Sequence, residues 1–71
     1  MTQDEYTVWL FLSASPESAF SRREIARRAV KRREFEANPH WADTSLSALV
    51  ARGVLETTQD GAYRIKRKSI G

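Results

Sequence analysis

His40, Asp43, Ser45 and Ser47 are the residue types of a hydrolytic triad, and they stand close together in the chain. A working triad needs its serine, histidine and carboxylate to converge on one pocket beside an oxyanion hole. Side chains spaced along one short helix do not converge in that way. The chain also has no Gly-x-Ser-x-Gly motif and no glycine run for an oxyanion loop. We therefore expect no catalytic residues and no enzyme activity.

Metal and cofactor chemistry lacks the residues that it needs. With one histidine and no cysteine, the chain cannot assemble an ordinary zinc site or form a disulfide. Its three glycines do not form a loop that could cradle a phosphate. We predict no metal and no cofactor, and no small-molecule ligand is indicated.

Clustered cations give the chain its clearest chemical signal. Residues 22–33 carry seven Lys or Arg and one Glu, and residues 64–71 carry four bases and no acid. A net acidic stretch separates the two segments. Neutralising phosphates with such cations dominates the affinity of proteins for nucleic acids. The alternative is a solvated helix face on which Glu24 pairs with Arg28, but one Glu cannot neutralise seven bases.

The size of the chain places these cations on one small domain. A length of 71 residues with 41% hydrophobic content suits a single domain over residues 1–71. The longest apolar run, Val8 to Leu12, is too short to cross a membrane. The acidic N-terminus is unlike a secretory signal. We expect a cytoplasmic protein without membrane contact.

The first predicted helix has more apolar surface than one side can bury. Thr2 and Glu5 fit a capping box, which predicts a helix over about residues 3–13. The apolar run Val8 to Leu12 then points all the way round this helix. The helix is therefore covered on more than one side, or it leaves an aromatic side chain for a partner.

The second helix has a capping signal and a clear apolar stripe. Ser21 and Glu24 fit another capping box, and we predict a helix over about residues 22–31. Its apolar residues fall on one side with helical spacing, whereas its Lys and Arg project from the other. Residues 32–37 are expected to connect this helix to the next, with Phe35 as an inward anchor.

A third helix is predicted over about residues 39–52. Asn38 is the expected N-cap, and Pro39 suits the first helical position, where its missing N–H costs nothing. Gly53 is expected to end the helix in a left-handed conformation. The predicted buried stripe of this helix is Ala42, Leu46, Leu49 and Val50.

After Gly53 the spacing of apolar residues changes from helical to alternating. This change predicts a hairpin over about residues 54–66. Asp60-Gly61 is a strong turn signal, because both residues tolerate positive φ. An isolated hairpin is not stable in water, so this one must pack on the helices. The expected fold class is α+β and mainly α: three helices, a two-stranded hairpin and a short basic tail over residues 67–71.

Three helices followed by a hairpin resemble the winged helix-turn-helix superfamily. The most specific stretch is residues 46–55, Leu-x-x-Leu-x-x-x-Gly followed by two aliphatics, which looks like a recognition helix running into the first wing strand. Residues 20–26 resemble the opening of the helix before the turn, and residues 54–66 resemble the wing. The likeness covers roughly residues 4–66.

The resemblance implies that the third helix enters the major groove of DNA and that the wing contacts the backbone. His40, Thr44 and Ser47, on the outward face of that helix, would contact base edges or phosphates. Arg64 and Lys66 would be the wing contacts. The residues expected to neutralise phosphates are Arg22, Arg23, Arg27, Arg28, Lys31, Arg32 and Arg33.

We therefore predict a module that docks on double-stranded DNA through the basic second helix and the wing, such as a small transcriptional regulator. The alternative is a protein-interaction module on the same scaffold without DNA binding. It is motivated by Glu34, Glu36 and Asp43 around the third helix, which has no Lys or Arg before Arg52. The residues expected at its interface, or at that of a homodimer, are Trp9, Phe11 and Trp41. A partly buried core anchor is the alternative role for Trp41.

Overall fold

Residues 1–66, the part of the chain that the computed structural model describes, form a mainly helical α+β fold. The helices are α1 (Gln3–Ser13), α2 (Arg22–Arg28), α3 (Arg32–Ala37) and α4 (Asp43–Ala51), and the strands are β1 (Phe20–Ser21), β2 (Leu55–Thr57) and β3 (Ala62–Ile65). The predicted class is confirmed, with one helix and one strand more than expected. The predicted basic tail, residues 67–71, lies outside the described residues.

Helix α1 begins where its capping box predicts. Thr2 Oγ1 accepts a hydrogen bond from the Glu5 N–H at 3.1 Å, and Glu5 Oε1 accepts one from the Thr2 N–H at 2.9 Å. These two bonds satisfy backbone donors that have no partner within the helix. The predicted bounds, residues 3–13, are confirmed. Val8 and Leu12 are fully buried and give this helix its core-facing side.

Helix α2 is shorter than predicted and is followed directly by another helix. It ends at Arg28 rather than at residue 31, and the Ala29 N–H donates to Ile25 O at 3.0 Å at this end. Lys31 is extended, and its N–H donates to Glu34 Oε2 at 3.4 Å. The chain re-enters a helix here because this carboxylate satisfies a donor at the new N-terminus. The predicted connector is therefore the helix α3.

Helix α4 begins at Asp43, four residues later than predicted. Asn38 Oδ1 accepts from the backbone N–H of His40 at 3.3 Å, so Asn38 closes a local turn instead of capping a helix at Pro39. A second turn follows, in which the Asp43 N–H donates to His40 O at 3.1 Å. The helix ends at Ala51, and His40 lies before it rather than on its outward face.

A glycine ends α4, as predicted. Gly53 has a φ of 78°, in the left-handed region. Its N–H donates to Val50 O at 3.0 Å, and the Val54 N–H donates to Leu49 O at 3.0 Å. This pair of bonds is a Schellman motif, which satisfies carbonyls at the helix end and turns the chain towards β2.

Replacing Gly53 with alanine should lower the free energy of unfolding by about 1–2 kcal/mol, the cost of a left-handed backbone for an L-residue. An added Cβ would meet no atom within 4 Å, so the loss comes from the backbone and not from a clash. Urea denaturation measures this free energy. Gly53→Asn is the control and should lose less, because asparagine tolerates positive φ better than alanine. A larger loss for asparagine would contradict this explanation.

A third strand, which the sequence does not indicate, completes the sheet. The order is β1-β3-β2 with antiparallel pairs, and Phe20 of β1 lies opposite Tyr63 of β3. Strand β1 has two residues, too few to show an alternating period. The predicted hairpin is present as β2 and β3, but only Gly61 of the Asp60-Gly61 pair has a positive φ, 82°. Its N–H donates to Thr58 O at 3.0 Å, which closes a β-turn over residues 58–61 with Gly61 as the last residue.

The helices and the sheet share one core in the described residues. The buried apolar side chains of this core are Val8, Leu12, Ile25, Ala26, Ala42, Leu46, Leu49 and Leu55. Phe35 packs half-buried against them, as predicted for an anchor. The predicted stripe of α4 is confirmed, with Val50 half-buried at its margin. The core therefore fixes α2, α3 and α4 relative to the hairpin.

Candidate nucleic-acid interface

Two arginines and a histidine surround a cavity of about 580 Å³ between α2, α4 and the hairpin turn. Arg22 and Arg23 belong to the first turn of α2, and His40 belongs to the turn before α4. The rest of the lining is Ser21, Phe35, Pro39, Asp43 and Gly61. We call this space the arginine cavity. It brings the basic second helix, one predicted base contact and the hairpin turn to the same place.

A carboxylate stands inside the arginine cavity. Asp43 Oδ2 lies 3.8 Å from Arg22 Nη1 and 3.4 Å from His40 Nδ1. Asp43 Oδ1 is buried and has no hydrogen-bond partner in the described residues. The charge of Asp43 therefore offsets part of the positive potential of the cavity, at Arg22.

The predicted phosphate contacts divide into cations with a carboxylate partner and cations without one. The paired cations are Arg22 with Asp43, Arg28 with Glu24, Arg32 with Glu36 and Arg64 with Glu56. Within residues 1–66, no carboxylate lies at ion-pair distance from Arg23, Arg27, Lys31, Arg33 or Lys66. Exposed ion pairs contribute little, about 0–1 kcal/mol each. A phosphate can therefore replace the carboxylate of a paired arginine at low cost.

The cationic surface continues from the arginine cavity along α2 and α3. Arg27 lines a second cavity of about 420 Å³ together with Arg32, Glu36 and Phe35. Phe35 lines both cavities, so the two adjoin at its side chain. Four of the predicted phosphate contacts therefore line two adjoining cavities. We call this surface the arginine face, and its members are Arg22, Arg23, Arg27 and Arg32.

Other predicted contacts lie elsewhere. Arg64 of β3 lines a different cavity, with Glu17, Glu56 and Pro16. Lys31 lines a groove on the α1 side, whose other charged residues are Asp4 and Glu34. Each of these cavities has two carboxylates and one cation, whereas each cavity of the arginine face has two arginines and one carboxylate. The hairpin therefore approaches the arginine face through Gly61 and not through its predicted contact Arg64.

Comparisons with protein-family models, with curated proteins and with solved structures found no match. Among residues 1–66, no group of histidine and acidic side chains could hold a metal ion. No helix in this part of the chain is long and apolar enough to cross a membrane.

The outward side of α4 carries no cation. Thr44 and Ser47, both predicted base contacts, are exposed on this helix. Arg52 follows the end of the helix and is the only base near it in the sequence, as expected. Bidentate contact between arginine and guanine, the commonest specific contact, is therefore impossible along α4 itself. The polar groups that this side of α4 can offer to base edges are therefore the hydroxyls of Thr44 and Ser47.

The three aromatic residues predicted at a partner interface have different surroundings. Trp9 is half-buried and stacks with exposed Tyr6, their ring centroids 6.2 Å apart. Phe11 packs inward instead, with its ring centroid 5.0 Å from that of Phe20. Trp41 is half-buried against the core, and its Nε1–H donates to Ala26 O at 2.8 Å. Only Trp9 thus adjoins an exposed aromatic surface.

An ion pair that the sequence does not indicate links α1 to the end of α4. Arg52 Nη1 lies 3.3 Å from Glu5 Oε1, and the side chain of Glu5 is only 10% exposed. Nothing in the spacing of the two residues relates them, because they are 47 positions apart. Arg52 therefore has a structural partner and is not part of the arginine face.

Proposed function

We propose that this chain is a winged helix-turn-helix domain that binds double-stranded DNA by docking its arginine face on the phosphate backbone. The observation that carries the proposal is the gathering of Arg22, Arg23, Arg27 and Arg32 along two adjoining cavities. Arg23 and Arg27 have no carboxylate partner in the described residues. Unneutralised cations on one side of a protein are the electrostatic footprint of nucleic-acid binding.

The arrangement of the elements supports a winged helix with an enlarged turn. Strand β1 precedes α2, and the hairpin follows α4, with its turn at Gly61 beside the start of α2. An ordinary helix-turn-helix joins its two helices with about 3–4 residues. Here residues 29–42 join α2 to α4, and they include the helix α3. This insertion contributes Arg32 to the arginine face, so it enlarges the surface that contacts DNA.

Backbone contacts dominate the proposed mode of binding. Guanidinium groups of the arginine face replace the cations condensed on DNA, and the release of these cations supplies the free energy. Thr44 and Ser47 reach base edges with hydroxyl groups, which distinguish bases weakly. The domain therefore positions itself on DNA with little preference for sequence. A small transcriptional regulator or an accessory factor is the role that this mode fits.

The affinity for duplex DNA should fall with salt at a slope of log K against log salt of about −3.6, if each arginine of the arginine face contacts one phosphate. Arg27→Gln should reduce the magnitude of the slope by about 1 for every duplex sequence. Arg64→Gln, which lies on a different cavity from the arginine face, is the control and should leave the slope unchanged. Fluorescence anisotropy measures both. Absence of binding at about 50 mM salt would refute the proposed function.

Recognition of a protein through α1 is the second candidate function. Tyr6 and Leu10 of this helix are 48% and 46% exposed, and Tyr6 stacks with Trp9. Aromatic side chains with an exposed face are enriched at protein interfaces. NMR shift mapping separates the two candidates. DNA should shift the signals of Arg23 and Arg27, whereas a protein partner on α1 should shift those of Tyr6 and Leu10.

A further inference from the structure

We propose that the arginine cavity takes one unpaired nucleotide of a DNA strand, at an overhang or a gap. This inference rests on the proposed function, because the arginine face would hold the adjoining duplex. Docking on the phosphate backbone leaves the apolar side of the arginine cavity, with Phe35, without a ligand. The result would be a preference for duplexes that have a single-stranded end.

The arginine cavity combines the two kinds of surface that a nucleotide requires. Arg22 and Arg23 supply guanidinium groups, whose planar forks match phosphate oxygens. Phe35 and Pro39 supply an apolar side. Aromatic rings of this kind stack on the faces of bases without regard to sequence. A volume of about 580 Å³ also lies in the range of sites that hold small ligands.

Asp43 determines where the phosphate lies in the cavity. Its Oδ2 already lies 3.8 Å from Arg22 Nη1 and 3.4 Å from His40 Nδ1, so a phosphate at Arg22 would first have to displace this carboxylate. Arg23 has no carboxylate at ion-pair distance among residues 1–66. The phosphate therefore belongs with Arg23, and the base with Phe35 and Pro39.

The aromatic side of the cavity requires a base that is out of the helical stack. In a duplex the faces of each base are covered by its neighbours, and only the edges are open in the grooves. Unless it intercalates between base pairs, a protein ring reaches a base face only where the base is unpaired or flipped out. An intact duplex on the arginine face would leave Phe35 without a partner, whereas an overhanging nucleotide would occupy the cavity.

Two duplexes that differ only in the overhang test the proposal. One carries a short single-stranded overhang of thymidines, and the other carries the same number of abasic sites. Their phosphates are equal in number, so counterion release is equal. We expect the thymidine overhang to bind about tenfold more tightly, within the range measured for stacking of one base on an aromatic ring. Equal affinities overturn the proposal and leave duplex binding intact, whereas failure of both ligands to bind refutes the proposed function as well.

A variant at the cavity locates the base. Phe35→Leu keeps an apolar side chain but removes the ring, and it should abolish the tenfold preference. Arg64→Gln, on a different cavity, should keep the preference. A preference that survives in Phe35→Leu would overturn the assignment of the base to this cavity.

A measurement on the unaltered protein is needed because Phe35 also packs against the core. Thymidine monophosphate should shift the NMR signals of Phe35 and Gly61, and inorganic phosphate should not. Identical shifts with both compounds, or none with either, would overturn the proposal.

Discussion

The double variant Arg23→Gln/Arg27→Gln should bind duplex DNA about 30-fold more weakly than the unaltered chain at physiological salt, since each lost phosphate contact costs about 1 kcal/mol there. Both arginines belong to the arginine face, and neither has a carboxylate partner in the described residues. Their removal leaves no local acid unpaired, so the loss reports on DNA alone. Fluorescence anisotropy against several duplex sequences should give the same factor for each.

The matched control is Lys31→Gln/Arg64→Gln, which removes the same net charge. Lys31 lines the groove on the α1 side, and Arg64 lines a separate cavity with Glu56. A general effect of net charge would weaken both double variants alike. We expect the control to lose less than about threefold, because long-range effects of exposed charges are screened by salt. Equal losses would show that the binding surface is not the arginine face.

Leu46→Ala should lower the free energy of unfolding by about 2–5 kcal/mol, because it leaves a cavity in the core. Leu46 is fully buried on α4. A domain of this length has a total stability of about 4–11 kcal/mol, so the variant should lose a large share of it. Urea denaturation followed by circular dichroism measures the loss.

An exposed residue of the same helix provides the comparison. Ser47→Ala, one position further along α4, should change the free energy of unfolding by no more than about 0.5 kcal/mol. A loss below about 1 kcal/mol for Leu46→Ala would contradict the position of α4 in the core.

Local signals predicted the elements whose ends depend on neighbouring residues. Thr2 and Glu5 begin α1 and Gly53 ends α4, because both devices use hydrogen bonds within a few residues. At Ser21 only half of the predicted box forms. Ser21 Oγ accepts from the Glu24 N–H at 3.2 Å, but the Glu24 carboxylate lies beside Arg28 instead. Competition between two partners for one side chain is not visible in a motif.

The missed elements are short or depend on distant contacts. Strand β1 exists because Phe20 lies opposite Tyr63, far along the chain. Helix α3 has six residues, and a lysine, which is not a preferred N-cap, precedes it. Because α4 begins only at Asp43, Trp41 lies in the turn before it, where its indole N–H donates to Ala26 O of α2. No single-sequence period contains such information.

The sequence indicates which cations belong to the candidate site but not which of them lie together in the fold. The run of residues 22–33 contains Arg22, Arg23, Arg27 and Arg32, which line the two cavities, yet a helix directs successive side chains to different sides. Lys31, for example, lies on the α1 side instead. The pairing of Arg64 with Glu56 depends on strand register, in which these two residues are directly opposite.

The link between Glu5 and Arg52 has a consequence for how the chain is made. During synthesis, Glu5 leaves the ribosome long before Arg52. The Glu5 carboxylate on α1 therefore has no guanidinium partner until Arg52 has emerged. Val8 and Leu12 likewise need α4 before they are covered. Helix α1 therefore cannot be fully packed early, and we expect this domain to fold only after α4 has emerged.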